Sequence, residues 1–198
     1  MHDRFWKMLG VAGMTLAMTT QAQAAWHFVP AESEITAHVA GQGQSGPVER
    51  TYHISDLQGT IDNEGRFEMP LRLEQTDLLG KQSGLGGLLS GLSSDSAMVT
   101  LSTRVNPDWL SNLQPGDSTT RNVTLTASGN HFERSEQVPL TLERLNQQYY
   151  HLTLAEPISV DTQQLMQLNN AQTVLSLLGY QRLDNTIPIE FNARLIER

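Results

Sequence analysis

Apolar and polar residues alternate with a period of two along much of the chain. The clearest run lies near the C-terminus, where Ile187, Ile189, Phe191, Ala193 and Leu195 are separated by polar residues and a proline. The alternation recurs at 67–74, 97–102, 122–127, 138–143 and 149–154, and more weakly at 35–39 and 51–59. Such a period is typical of antiparallel strands with one face in water and one in a core. The pattern therefore predicts an all-β fold.

Roughly eight such strands fall within one chain of modest length. A sheet of that size tends to close or fold on itself, because closure removes its unpaired edges. The turn signals agree, since Asp62, Asn63 and Gly65 stand between two alternating runs as they would in a hairpin. We therefore expect one domain built on a closed antiparallel sheet.

Two stretches depart from the alternation and are predicted to be short helices. The first begins at Asn106-Pro107 and ends at Gln114-Pro115-Gly116, both of which are typical helix boundaries. The second begins at Asp161 and continues to about 178, with Asn169-Asn170 as a point where it could divide in two. Its apolar stripe consists of Leu165, Leu168, Val174, Leu175 and Leu178.

The segment 80–96 is rich in glycine and serine, yet it carries four leucines, Leu85, Leu88, Leu89 and Leu92. Its glycines disfavour a helix, each by about 1 kcal/mol relative to alanine. As a plain connection it would be longer than usual. We therefore predict that this segment is a lid at an apolar mouth, with the leucines facing the opening.

The first 24 residues have the pattern of a cleavable signal peptide. Arg4 and Lys7 precede an apolar run that ends at Ala22-Gln23-Ala24, a small-x-small cleavage signal. A membrane anchor is the alternative, but a spanning helix needs about 20 apolar residues and this run has roughly half that number. We expect the mature domain to be 25–198, located in the periplasm and not spanning the membrane.

Charge and cysteine content narrow the function classes. Residues 25–198 hold 11 basic and 20 acidic side chains, a net charge near −9, whereas a nucleic-acid-binding protein is usually basic. The chain has no cysteine, which excludes disulfides, thiolate metal sites and a cysteine nucleophile. We therefore expect no nucleic-acid partner.

The sequence offers no convincing catalytic or metal-binding set. Histidines stand at positions 27, 38, 53, 131 and 151 without the helical spacing of a metal site. No Gly-x-Ser-x-Gly nucleophile motif is present. We predict no catalytic residue, no metal and no enzyme activity; a hydrolase or metal-dependent enzyme that clusters distant histidines is the remaining alternative.

The inward face of the predicted sheet is the best candidate for a site. A small barrel is either filled by its own side chains or encloses one ligand, and the sequence leaves both readings open. The residues predicted to line an apolar pore alternate inward along the strands: Phe67, Met69, Leu71, Leu73, Val99, Leu101, Val123, Leu125, Leu140, Leu152, Leu154, Ile187, Ile189 and Phe191.

Short motifs resemble the YceI-like family of exported bacterial lipid-binding proteins over roughly 25–197. They are Trp26-x-x-x-Pro30-x-x-Ser33-x-Ile35, Leu57-x-Gly59-x-Ile61, Leu178-Gly179-Tyr180 and the final strand from Ile187 to Ala193. The resemblance implies an extended eight-stranded antiparallel, lipocalin-like β-barrel with one or two short helices. It also implies an elongated pore for a polyisoprenoid, an isoprenoid quinone or a fatty-acid derivative. One departure is the segment 80–96, which stands where common members carry an Arg-Asp pair and an Asp-Phe-Phe.

These observations lead to two hypotheses. The first is a periplasmic carrier or sequestering protein that binds one long-chain apolar lipid and needs no cofactor. The second is a protein-interaction or structural module with a filled barrel, whose apolar lid contacts a partner protein. A homodimer is compatible with either.

Overall fold

The computed structural model describes residues 25–77, 97–129, 132–167 and 171–198. These residues form twelve strands: β1 Trp26–Phe28, β2 Glu34–Gly43, β3 Gly46–Ile54, β4 Thr60–Ile61, β5 Arg66–Arg72, β6 Ala97–Arg104, β7 Ser118–Gly129, β8 Phe132–Arg144, β9 Tyr149–Leu154, β10 Ile158–Asp161, β11 Arg182–Leu183 and β12 Thr186–Glu197. Three short helices accompany them: α1 Asp108–Ser111, α2 Thr162–Leu165 and α3 Ala171–Leu177. The predicted signal peptide at 1–24 and the predicted lid leucines at 85, 88, 89 and 92 lie outside the described residues.

Eight of the strands form a closed ring. Hydrogen bonding runs β1–β4–β5–β6–β7–β8–β9–β12, and β12 also pairs with β1. Every pairing in this ring is antiparallel. The predicted eight-stranded antiparallel barrel is therefore confirmed, and closure leaves the ring without a free edge.

β12 is long enough to pair with two strands along each edge. It pairs with β9 and β10 on one side and with β1 and β2 on the other. β1 and β2 are separated by a 3₁₀ turn at Pro30–Glu32. The buried Ser33 stabilises this break, since its Oγ donates to the Val29 carbonyl at 2.8 Å and accepts from the Arg194 N–H at 3.2 Å.

The barrel has two different ends. At the α1 end lie α1 and the turns at 62–65 and 145–148, and the buried Trp26, Leu110 and Tyr150 pack there. At the α3 end, the β2–β3 hairpin extends beyond the ring, and a second apolar cluster forms against it around Leu178 and Tyr180. The interior is therefore one main core with a smaller cluster at the α3 end.

The 62–65 turn shows why the sequence signal was reliable. Asp62 Oδ1 accepts from the N–H groups of Glu64 and Arg66, both at 2.9 Å. Gly65 has a φ of +75°, and a Cβ there would stand 1.7 Å from the Val105 carbonyl oxygen. Only glycine fits this position without a backbone shift.

The helices differ in part from the prediction. α1 lies within the predicted segment, and the Asn106 side chain accepts from the Asp108 N–H at 3.0 Å. The second predicted helix is observed as two pieces, α2 and α3, and α2 ends at Leu165. None of the residues in α3 is fully buried. Tertiary packing supplies most of the stability of a helix, so the short length of α3 agrees with its low burial.

Candidate functional site

An apolar cavity of about 90 Å³ lies inside the barrel. Its wall has eighteen residues, all of them apolar except Thr103. The hydroxyl of Thr103 already donates to the Thr124 carbonyl at 2.6 Å. The wall therefore offers apolar surface and very little polar chemistry.

Nine of the fourteen predicted pore residues lie on this wall: Phe67, Met69, Leu101, Leu125, Leu140, Leu152, Leu154, Ile189 and Phe191. The other five do not line it. Leu71, Val99 and Ile187 are farther towards the α3 end, and Leu73 belongs to a 3₁₀ turn. Val123 instead lines a groove beside α1. Whether any of the fourteen contacts a ligand remains a prediction.

Nine further wall residues were not among the predicted set: Ile35, Ile61, Thr103, Val105, Trp109, Val138, Leu142, Ile158 and Leu195. Val138, Leu142 and Leu195 share the alternation of predicted residues on β8 and β12, so extending that period would have found them. Ile61 and Ile158 belong to strands of two and four residues, which are too short to show a period. Trp109 is on a helix and reaches the cavity through tertiary packing.

Burial differs along the cavity. Wall residues such as Met69, Leu142 and Leu195 are about 1% exposed. Towards the α3 end, several wall residues are only half-buried, namely Leu101, Leu125, Leu154, Ile158 and Ile189. Half-buried side chains have fewer packing contacts to lose when they rotate. This half of the cavity can therefore widen more easily.

Aromatic rings stiffen one side of the interior. Phe28 packs edge-to-face against Phe67, with ring centroids 5.6 Å apart, and against Phe191 at 6.2 Å. Gly59 lies against the Phe28 ring, and a Cβ at this position would come within 2.5 Å of that ring. Such pairs favour fixed geometry, so this side gives the cavity a rigid wall.

The barrel wall has a seam between β6 and β7. These strands pair only through 100–102 against 126–128, although both continue towards the α1 end. Between the paired segment and the α1 end, Thr103 Oγ1 donates to the Thr124 carbonyl across the seam. Trp109 and Val105 line both the inner cavity and an outer groove. These two side chains therefore separate the cavity from the outside.

We expect Thr103→Val to loosen the seam. The substitution removes one hydrogen bond and keeps the side-chain shape, so the free energy of unfolding should fall by about 1 kcal/mol. Amide hydrogen exchange should accelerate in β6 and α1. Thr120→Val is the matched control, since its hydroxyl pairs with Thr141 on an exposed surface. Equal effects of the two substitutions would argue against a special role for the Thr103 bond.

The α1 end is closed by a network around Arg144, whose side chain is only 15% exposed. Its guanidinium donates to the carbonyls of Leu113 at 2.7 Å, Gln147 at 2.9 Å and Asn146 at 3.1 Å. It also lies 5.1 Å from the Tyr150 ring centroid.

Glu197 completes this network. Its carboxylate lies 3.8 Å from Arg144 Nη2 and accepts a 3.1 Å hydrogen bond from the Tyr150 hydroxyl. The network therefore joins the segment that follows α1, the β8–β9 turn and the last strand.

The raised pKa values of two buried tyrosines indicate that the protein loses stability at alkaline pH. Burial raises the pKa of Tyr150, and it raises the pKa of Tyr180, which is 1% exposed and beside the Tyr52 hydroxyl. The folded state therefore holds these protons more tightly than the unfolded state does. Their contribution is intact below about pH 10 and is lost as the pH rises towards the folded values.

Urea unfolding should accordingly show a free energy of unfolding that declines as the pH rises from about 9.5 to about 11.5. Replacing both Tyr150 and Tyr180 by Phe should flatten that decline. A wild-type profile that stays level across this range would contradict the assignment.

The histidines of the described residues lie apart from the cavity. Nε2 of His38 is 3.6 Å from Glu190, Nδ1 of His53 is 3.6 Å from Glu34, and His151 Nε2 is 2.8 Å from the Asn192 side-chain oxygen. These positions alternate with the inward ones on β2, β3, β9 and β12, so they face outward. In the part of the chain that the structure describes, no three metal-ligating side chains come together. No helix there has the length and apolar character needed to cross a bilayer.

Comparison with known proteins identifies the fold. No family model matches the chain, and no curated protein does. Among solved structures, it is similar to a polyisoprenoid binding domain from Saccharophagus degradans implicated in plant cell wall breakdown. The TM-score is 0.73 at 14% identity, and the match covers 87% of this chain and 98% of the other. The two share one fold.

Proposed function

We propose that this protein binds one long apolar molecule inside its barrel and carries or shields it in the periplasm. The observation that carries the proposal is the cavity, whose wall is apolar apart from Thr103. A site without free polar groups suits binding by surface burial rather than covalent chemistry. The similar solved structure, a polyisoprenoid binding domain, supports the same ligand chemistry. Membership of the YceI-like family, which the sequence motifs resemble, is part of this proposal.

Burial alone can supply the affinity. Each Å² of apolar surface removed from water contributes about 25 cal/mol. The same mechanism discriminates weakly, by about 1–3 kcal/mol per methylene. We therefore expect tolerance of chain length, across polyisoprenoids, isoprenoid quinones and fatty-acid derivatives.

The barrel must widen to accept such a chain. At about 90 Å³ the cavity is smaller than the engineered cavity of about 150 Å³ that binds benzene. The half-buried residues Leu154, Ile158 and Ile189 are the ones that can move apart. A barrel that never widens would be a filled core, which is the alternative hypothesis of an interaction or structural module.

Export to the periplasm follows from the predicted signal peptide. The first described strand begins at Trp26, two residues after the predicted cleavage site, so cleavage there would cut none of the described strands. Cell fractionation and the mass of the intact protein test this. A cytoplasmic, uncleaved protein would overturn the export part of the proposal and leave the binding part standing.

The binding part can be tested with tryptophan fluorescence. Residues 25–198 contain two tryptophans, and one of them, Trp109, is on the cavity wall. A quinone with a ten-carbon tail should quench the emission in a saturable way, at one molecule per protein. The same quinone without a tail is the control and should not saturate. Absence of saturable quenching by the tailed quinone would contradict apolar binding.

A further inference from the structure

The groove outside the β6–β7 seam has the features of a head-group site. It has a volume of about 770 Å³ and lies between α1 and β7. Val105, Trp109, Leu113 and Val123 supply its apolar surface. Because Val105 and Trp109 also line the inner cavity, groove and cavity are separated only by these side chains.

Two arginines flank the groove, one from each strand of the seam. Arg121 is on β7 opposite Leu140, a position that shares the inward alternation of the core. β6 does not pair with β7 at this level, so Arg121 is exposed to the groove instead of being covered. The Arg121 side chain makes no hydrogen bond or ion pair within the described residues. Arg104 is 70% exposed, and its Nη2 is 4.0 Å from Glu64.

The other polar groups of the groove fit a ligand head that is rich in oxygen atoms. Asn106 and Asn112 add amide groups to the groove, and Asp108 is its one carboxylate among the described residues. An unpaired arginine at an inward position is unusual in residues 25–198, whose net charge is near −9. A guanidinium is well suited to a carboxylate or phosphate, which it can hold with two parallel hydrogen bonds.

Trp109 separates the two compartments without being fixed by a hydrogen bond. Its Nε1 is buried and has no hydrogen-bond partner in the part of the chain that the structure describes. The side chain is half-buried on a helix of four residues. A rotation of this indole would bring the groove and the cavity into contact, and it would break no hydrogen bond of Nε1 within the described residues.

We propose that this groove binds the anionic head of the ligand, a carboxylate or a phosphate, while the apolar chain occupies the barrel through the β6–β7 seam. The inference rests on the proposed function. It narrows the ligand class to an apolar chain with an oxyanion head, and it assigns Arg121 as the main head-group contact, with Arg104 assisting.

The test compares three probes on the full mature protein: hexadecanoate, hexadecan-1-ol and acetate. Wild type should bind hexadecanoate more tightly than the alcohol, and the difference should shrink at about 0.5 M salt because the head is partly exposed. Acetate should not bind measurably, since the chain supplies most of the affinity.

Arg121→Gln should weaken hexadecanoate binding about five- to tenfold and leave the alcohol unchanged. Asp108→Asn should strengthen hexadecanoate binding about twofold, because it removes the opposing charge. Arg182→Gln, at the α3 end, is the matched control and should change neither. The melting temperature of unliganded Arg121→Gln should equal that of wild type.

The outcomes separate the two proposals. If wild type binds neither long-chain probe, the proposed function fails. If it binds both but Arg121→Gln affects them equally or not at all, the head-group site is wrong and apolar binding stands. A loss of melting temperature in Arg121→Gln would assign that arginine a structural role instead.

Discussion

Leu154→Trp should reduce the affinity for a long apolar ligand at least tenfold. Leu154 is on the cavity wall, half-buried, at the end of β9 where the wall can move. A larger ring at this position occupies the space that the chain needs. Because the interior has little spare volume, the substitution should also cost about 1–3 kcal/mol of stability. Titration with the tailed quinone measures the affinity directly.

Thr153→Trp is the control for this experiment. It places the same side chain one position earlier on β9, where the alternation faces outward. Ligand affinity should remain within about twofold of wild type, since the cavity is untouched. If Leu154→Trp does not fold, Ile189→Phe makes a smaller intrusion on the same wall. Unchanged binding by folded wall variants would mean that the ligand lies elsewhere.

Arg144→Ala should destabilise the protein by about 3–5 kcal/mol. It leaves the Leu113, Asn146 and Gln147 carbonyls without their guanidinium donor and leaves Glu197 without its cation. Removing one partner from a mostly buried charged network costs this much because the remaining groups keep their desolvation penalty. Urea unfolding measures the loss, and hydrogen exchange should place the greatest opening at α1 and the β8–β9 turn.

Arg121→Ala is the matched substitution for stability. Its side chain is exposed and unpaired within the described residues, so the free energy of unfolding should change by no more than about 0.5 kcal/mol. Comparable losses from Arg144→Ala and Arg121→Ala would contradict the role given to the Arg144 network.

The barrel could be predicted from the sequence because each residue of a long antiparallel strand, by being apolar or polar, indicates the face of the sheet on which it lies. Val138, Leu140 and Leu142 on β8, for example, are separated by Pro139 and Thr141, and all three are buried. The short strands β1, β4, β10 and β11 carry too few residues to show that period. Closure through β1 and β12 depends on a three-residue strand, so no local pattern could have specified it.

The candidate site was predictable to a similar extent. Inward alternation placed Leu140, Leu152 and Phe191 on the cavity wall. The outer groove could not be foreseen, because it exists only where β6 and β7 fail to pair. Arg121 is an example. In the sequence, a charged residue at an inward position only interrupts the alternation, and its place beside the groove becomes evident only once the β6–β7 seam is known.

Native mass spectrometry of the protein purified from the periplasm tests the central claim most directly. The account predicts a complex heavier than the protein by one apolar molecule, which is released on denaturation and identified in the organic extract. Stripped protein should take up one equivalent of an added isoprenoid quinone or long-chain acid. A preparation that shows only the mass of the protein, and that takes up neither compound, would contradict it.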